Sequence, residues 1–507
     1  MKDRKAVRIP APAGRPHFDG DAPVVVVVGG GIAGLSAATL LAERGARVVV
    51  CERENYLGGR VGGWSTRLAD GSEATMTRGF HAFFRQYYNL RALLKRVDPA
   101  GRALTGLPDY PLQHASGHRD GFADLPTTVP WNVLAFLRSS PTFRWRDLPG
   151  VNARAALSLL DVSVPEVYER LDALDAASYL EQIRFPEAAH ALAFEVFSRS
   201  FFAHPTRMSA AELAVMFHIY FLGSSEGLLF DVAADPFPHG LWEPLRRHLT
   251  SLGTTVCTGV EVKSVLPGQE KRYSVTIGEG AIEADAVVLA ADVRGLRSLV
   301  GESPALGDTA WRDTIGRLET APRFLVSRYW LDTPVDADRP GFLGTGGHDL
   351  LDNISVLNHY EHEARAWAAR TGGSVVELHG YALPSDVDEQ SARARLWQQL
   401  TEVFPETKQA GVVDERHELR EDCPLFPAGG FGRRPTVTTP DEFLVVAGDL
   451  VRIDLPVALM ERAATTGFAA ANHLLGRWGV AGTELWTVPA EGRVPLLRSA
   501  ARRWRTL

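Results

Sequence analysis

Six residues near the start of the chain carry the first recognisable chemistry: Gly29-Gly30-Gly31-Ile32-Ala33-Gly34. In a GxGxxG pattern the first glycine permits a tight turn and the second lets a pyrophosphate approach the backbone. The third lets helix pack on strand. A helix beginning there offers free N–H groups and its positive dipole end to the diphosphate. Glu52 stands eighteen residues past Gly34. A carboxylate at that place accepts hydrogen bonds from ribose hydroxyls and repels a 2′-phosphate, which disfavours NADP. Beyond it, Gly58-Gly59-Arg60 adds backbone amides and a cation for the same phosphates. Far downstream, Val446-Ala447-Gly448-Asp449 sets an acid directly after an apolar run, where it can bind further hydroxyls.

Other side chains are candidates for proton transfer. His81 titrates near neutral pH when unperturbed and is followed by aromatics, so it is the candidate base. Arg78 can point at a cofactor or substrate, or close a salt bridge. Asp231 and Asp235 border the inserted domain and could be bases, but read rather as helix caps. His359 and His362, interleaved with Glu361 and Glu363, imitate a metal cluster. With no third histidine at helical spacing they read as a solvated helix face, and no metal is expected.

These residues need elements to hold them. Val24–Val28 is a β-branched run too short for a buried helix, and it reads as a strand buried on both faces. An apolar-periodic helix through Leu35, Ala38, Leu41 and Ala42 closes at Gly45, and a second strand runs from Arg47 to Cys51. Residues 151–222 carry helical spacing. Strands are predicted at Thr255–Cys257, Val260–Val265, Tyr273–Ile277, Ala286–Ala290, Phe324–Leu331, Ser374–Tyr381 and Phe443–Ala447. Helices are predicted near Ala392–Val403 and after Asp449. The nucleotide domain is therefore assembled from separated segments, with a second domain inserted.

The 507 residues, 45% of them hydrophobic, are enough for several domains with a sizeable core. The 61 acids outweigh 54 basic residues for a net charge of −7, which argues against a nucleic-acid binder. Cys51, Cys257 and Cys423 are scattered, with no CxxC, so a reducing cytoplasmic compartment is expected. The first 22 residues are polar and Pro/Gly-rich, without the apolar core of a signal peptide, and no apolar run is long enough to span a bilayer. Contact with a membrane surface is expected from two places. Pro130–Trp145 mixes Trp131, Leu134, Phe143 and Trp145 with arginines. Residues 493–507 hold five arginines and no acid.

The GxGxxG, the Gly-Gly-Arg and the late Gly-Asp, in this order, resemble the FAD-containing amine oxidase and carotenoid desaturase superfamily over residues 24–476. Arg78-Gly79-Phe80-His81 running into Tyr87-Tyr88-Asn89 is similar to the phytoene and ζ-carotene desaturases. Together with Gly448 to Ala463 it most resembles the bacterial carotene desaturase/methyltransferases, the isorenieratene or phi-ring synthases. The resemblance implies an α/β fold, α+β overall. It comprises a Rossmann-like FAD domain of the glutathione-reductase type, an inserted substrate domain with a mixed sheet, and a helical subdomain. Its boundaries fall at 1–22 (flexible leader), 23–110, 240–300 and 432–478 (FAD domain), 111–239 (helical subdomain), 301–431 (substrate domain) and 479–507 (C-terminal arm).

The resemblance also implies FAD held by Gly29, Gly31, Ile32, Ala33, Gly34, Glu52, Arg53, Gly58, Gly59, Arg60, Gly79, Phe80, Val262, Gly448, Asp449, Leu459 and Met460, with His81 and Arg78 as the catalytic candidates. The implied reaction turns a β-ionone ring of β-carotene into an aromatic ring. It passes electrons to an acceptor the sequence does not specify, on an enzyme peripheral to the membrane. A linear polyene desaturase, an amine oxidase of the same fold and a catalytically silent FAD-binding module are the alternatives.

Overall fold

The computed structural model describes residues 3–140, 150–184 and 201–506. Its organising element is a five-stranded sheet in the order Thr255–Thr258, Arg47–Glu52, Val24–Val28, Ala286–Leu289, Leu444–Val446, with every neighbouring pair parallel. Val24–Val28 takes the centre because a continuous β-branched run is suited to a strand covered on both faces. Val25 and Val27 pack with the helices Ile32–Glu43 and Leu459–Arg477. Val26 and Val28 pack on the other side with the helix Val293–Gly301. The two helices on the first face meet so closely that a Cβ at Gly467 would lie 2.2 Å from the Ala33 carbonyl oxygen. Strands from three distant stretches of chain thus build one sheet.

A second, seven-stranded sheet runs in the order Val412–Arg420, Phe324–Leu331, Ser374–Gly380, Asn353–Val356, Phe342–Gly346, Leu112–His114, Arg119–Asp120. Only the pair Phe342–Gly346 and Leu112–His114 is parallel, so the sheet is mixed. The helix Glu389–Val403 covers one face through Leu396 and Leu400, against Val376 and Leu378. The opposite face of Ser374–Gly380 looks towards the first sheet.

Three expectations change. Residues 112–120 join the seven-stranded sheet rather than the helical subdomain, because strands of two and three residues leave no period to read. The leader is docked: Val7–Ile9 pairs with Leu485–Thr487, and buried Asp3 is bound by Arg493. Asp231 and Asp235 cap no helix; Asp231 pairs with Arg91 at 2.6 Å from within a strand, and Asp235 meets His362 Nδ1 at 3.1 Å. Cys51 and Cys257, far apart in the chain, are register partners on adjacent strands, and all three cysteines are free thiols. Among the described residues no helix is long and apolar enough to cross a membrane. Residues 141–149, with Phe143 and Trp145, and 185–200 of the expected helical stretch lie outside the described residues.

Candidate active site

A cavity of about 870 Å³ opens between the two sheets, bordered by the C-terminal ends of the parallel strands at Gly29, Glu52, Ala290 and Gly448. That edge is where open α/β sheets bind ligands. The glycines divide the labour visibly. A Cβ at Gly34 would lie 1.9 Å from the Gly29 carbonyl oxygen, so Gly34 exists for helix–strand packing. A Cβ at Gly31 would meet nothing nearer than the Gly59 Cα at 3.9 Å, so its bare face opens into the cavity. The helices Ile32–Glu43 and Leu459–Arg477 both begin at this cavity without a side-chain cap, leaving amide donors for an anionic or carbonyl-bearing ligand. Leu459 enters its helix at φ +53°, a left-handed conformation that costs energy for a bulky residue and is found where a site over-determines the backbone.

Glu52 is 8% exposed and accepts from the Gly30 amide at 2.6 Å and the Glu54 amide at 2.8 Å. Burial raises its proton affinity, while those two amides and Arg53 pull the other way. Each oxygen keeps a lone pair for a ribose hydroxyl. Arg60 and Asp449 pair with each other at 2.5 Å on the cavity wall. This set of an open glycine turn, two uncapped helix ends and a buried carboxylate fits a dinucleotide cofactor.

Of the expected cofactor residues, Gly29, Gly31, Ile32, Ala33, Glu52, Arg53, Gly58, Gly59, Arg60, Val262, Gly448, Asp449, Leu459 and Met460 line this cavity, while Gly34 and Gly79 do not: Gly34 packs on Gly29 and Gly79 on His379. Phe80 lines it too, within an aromatic cluster, stacked on Phe342 at 4.3 Å and edge-on to Phe230 at 5.6 Å. Tyr110 joins the same cluster, 5.5 Å from Phe342. The cavity therefore has a polar backbone-lined end and an aromatic end.

Both catalytic candidates border it. Arg78 is buried and donates to Asp422 at 2.7 Å, so its charge is taken up by an ion pair. His81 donates from Nδ1 to the Gly79 carbonyl at 2.9 Å, and burial, with a smaller push from His379, Arg60 and Arg78, lowers its pKa to about 4. Its charged form is thus disfavoured, and no carboxylate pairs with it among the described residues. The expected solvated face at 359–363 is partly buried instead: Glu361 is 6% exposed, with a pKa pushed up to about 8 by burial, and Glu363 accepts from Thr75.

One polar group on the opposite wall is absent from the sequence reading. His379, on the Ser374–Gly380 strand, and Tyr381, just beyond its end, line the cavity, and Glu377, two residues before His379, is fully buried on the same face of the strand. Glu377 Oε1 lies 2.9 Å from His379 Nε2, and His379 Nδ1 lies 2.9 Å from the Tyr381 hydroxyl. Arg328 on the neighbouring strand donates twice to Glu377 Oε2, at 2.6 and 2.9 Å, and holds its pKa down at about 2 against the opposing cost of burial. The signal was present as polar residues at 377, 379 and 381 in an apolar run, a period of two that places them on one face.

The chain belongs to the flavin containing amine oxidoreductases, whose family model matches residues 32–475. It is an FAD-dependent oxidoreductase of that fold. Within this class it is 60% identical over 500 residues to the carotenoid phi-ring synthase of Streptomyces griseus, covering 99% of this chain and 97% of that protein. A carotenoid phi-ring synthase of Chlorobaculum tepidum is 27% identical over 92% of this chain and 90% of its own length. Among solved structures, putrescine oxidase with putrescine bound superposes at a TM-score of 0.66, with 15% identity, over 90% of this chain and all of that one. The last likeness concerns the fold alone.

Proposed function

We propose that this enzyme converts a β-ionone ring of β-carotene into an aromatic ring by two desaturations with a 1,2-methyl shift. The full-length similarity to phi-ring synthases supports the substrate class, and the aromatic end of the cavity is the observation in the molecule that carries it. A β-ionone ring contains a quaternary carbon with two methyl groups, and no aromatic ring can hold an sp³ carbon. One methyl must therefore leave or move to the adjacent carbon, and positive charge beside the quaternary carbon favours the move.

FAD, when bound, supplies the two-electron oxidation for each desaturation. Gly31, Glu52, Arg60 and the amides at Leu459 and Met460 would hold it, leaving the aromatic end for the polyene. Phe80, Phe230 and Phe342 exclude water that would trap a cation, and their ring faces stabilise positive charge. A base must then take a proton to set each new double bond. The protein binds FAD non-covalently and rests peripherally on a membrane, from which an apolar polyene enters; Trp131 and Leu134, 62% and 46% exposed on the helix Trp131–Ser139, support that contact.

Expression in cells that make β-carotene, followed by mass spectrometry, tests the reaction. The product should lack four hydrogens per modified ring and keep every carbon. A product retaining its geminal dimethyl group, or activity confined to linear polyenes, would redirect the assignment to a simple desaturase.

A further inference from the structure

We infer that Tyr381, backed by His379 and Glu377, is the base that removes the ring proton, in place of His81. The inference rests on the reaction proposed above and assigns its proton-transfer step. Glu377, His379 and Tyr381 form a chain of contacts, 2.9 Å each, from a buried carboxylate out to a hydroxyl on the cavity wall.

The polarity of the chain is set from its buried end. Arg328 is 2% exposed, and its remaining donors go to the Thr75 carbonyl and Thr77 Oγ1, each at 2.7 Å. Its charge is thus committed to Glu377, which stays ionised and can only accept. The Phe80 amide also points at Nε2, at 3.1 Å, but the ionised Glu377 at 2.9 Å is the nearer and stronger partner. The imidazole proton therefore sits on Nε2, donated to Glu377, and Nδ1 is left as the acceptor for the Tyr381 hydroxyl. Asn353 Nδ2 donates to the same hydroxyl oxygen at 3.0 Å, which orients the phenol without competing for its proton. Gly79 stands against the other side of the ring: it has φ +95°, and a Cβ there would lie 2.6 Å from His379 Cε1. The ring is held by neighbours on both sides, as a positioned relay requires.

His81 offers none of this. Its Nδ1 is spent on a backbone carbonyl, no carboxylate lies within salt-bridge distance among the described residues, and the cations Arg60 and Arg78 oppose its protonation.

The step balances as follows. After a flavin-dependent two-electron oxidation and the methyl shift, a C–H bond adjacent to the cationic carbon breaks. Its electron pair becomes the new π bond. The proton passes to the Tyr381 oxygen as the hydroxyl proton passes to His379 Nδ1, leaving an imidazolium beside the Glu377 carboxylate. No free phenolate forms, so the burial that opposes tyrosine ionisation does not have to be overcome. Tyr381 is catalytic in this scheme; His379 and Glu377 are positioning residues that act through it.

Tyr381→Phe in the FAD-loaded enzyme separates the relay from simple packing, because it keeps the ring that packs edge-on against Phe202, itself in contact with Phe324. The expected result is unchanged flavin content, melting temperature and carotenoid affinity, with kcat lower by about 100-fold. A kcat within about threefold of wild type overturns the relay. Should the variant lose flavin, 3-fluorotyrosine at position 381 retains the packing and carries a more acidic phenol. The pH profile of kcat should then shift, and an unmoved profile overturns the relay. Wild-type enzyme that yields no aromatic product would instead bring down the proposed reaction, and the relay with it.

Discussion

The two walls of the cavity are built on different principles. The wall at the parallel sheet is made of backbone: a glycine turn, two helix ends, and a carboxylate that itself spends both oxygens on main-chain amides. The wall at the mixed sheet is made of side chains that hold one another, Arg328 to Glu377 to His379 to Tyr381. A backbone wall suits a cofactor whose diphosphate and ribose require fixed donors and acceptors. A side-chain wall can be exchanged residue by residue while the sheet stays intact, as befits the half that selects a substrate and moves protons.

Substitutions within the glycine turn bring the largest expected effect and test whether the first wall has separate packing and binding duties. Gly34→Ala would drive a Cβ to 1.9 Å from the Gly29 carbonyl, and overpacking of that kind costs roughly 3 kcal/mol. It should lower the melting temperature of the apoprotein and abolish flavin uptake together. Gly31→Ala meets no protein atom closer than 3.9 Å, so the apoprotein should melt as wild type while FAD affinity falls at least about tenfold. Equal behaviour of the two variants, by thermal melting and flavin titration, would erase the distinction.

That division also explains what was legible. The GxGxxG run, Glu52, Gly58-Gly59-Arg60 and Gly448-Asp449 could be read in the sequence because backbone chemistry leaves glycines at fixed offsets, and nearly all of them line the cavity. The relay was hidden because its members meet through sheet pairing: Arg328 stands opposite Glu377 in one register and Asn353 opposite His379 in another. No spacing in the chain announces pairings across separate strands. His81 was favoured on the ordinary titration of an imidazole and on the aromatics that follow it, and the environment that weakens it, burial beside Arg60 and Arg78, comes from contacts. The docked leader was missed because Val7-Arg8-Ile9 is too short to show a period.

A second expected effect comes from acid. Glu212 is fully buried and bridges Arg434 at 2.5 Å and Arg462 at 2.8 Å; the latter belongs to the helix that starts at the cavity. Those two cations lower its pKa from 4.5 to about 2 although burial opposes them. A folded-state value below the unfolded one means the contribution is complete above about pH 4.5 and is lost as pH falls towards about 2. Glu377, also lowered to about 2, adds to the same loss on the other wall. The melting temperature should therefore drop steeply over that interval. Glu212→Gln should melt lower at pH 7, since two buried guanidiniums lose their countercharge, by no more than about 3 kcal/mol because the amide oxygen still accepts from one of them, and should show a shallower acid drop. An identical acid slope in the variant would remove Glu212 from the account.

The smallest effect concerns the membrane, and here the molecule redirects the expectation drawn from charge. Residues 493–507 hold five arginines, yet three are already engaged within the protein. Arg493 is nearly buried and bound to Asp3, Arg498 meets Glu491, and Arg502 meets Asp161 at 2.8 Å. A cation paired with an internal carboxylate brings little net charge to an anionic surface, where a free one is worth about 1 kcal/mol. Trp131 and Leu134, by contrast, are exposed apolar side chains on one helix, three residues apart, and sinking them into the interface releases about 1–2 kcal/mol. Trp131→Ser with Leu134→Ser should thus reduce flotation on anionic liposomes roughly tenfold. Deleting residues 495–507, which keeps Arg493 on Asp3, should reduce it by no more than about threefold. If the deletion abolishes flotation and the double substitution leaves it intact, the arm is the anchor and its internal ion pairs must open at the membrane. Raising the salt concentration discriminates once more: binding through Trp131 and Leu134 should persist, whereas binding through arginine should fade as the charges are screened.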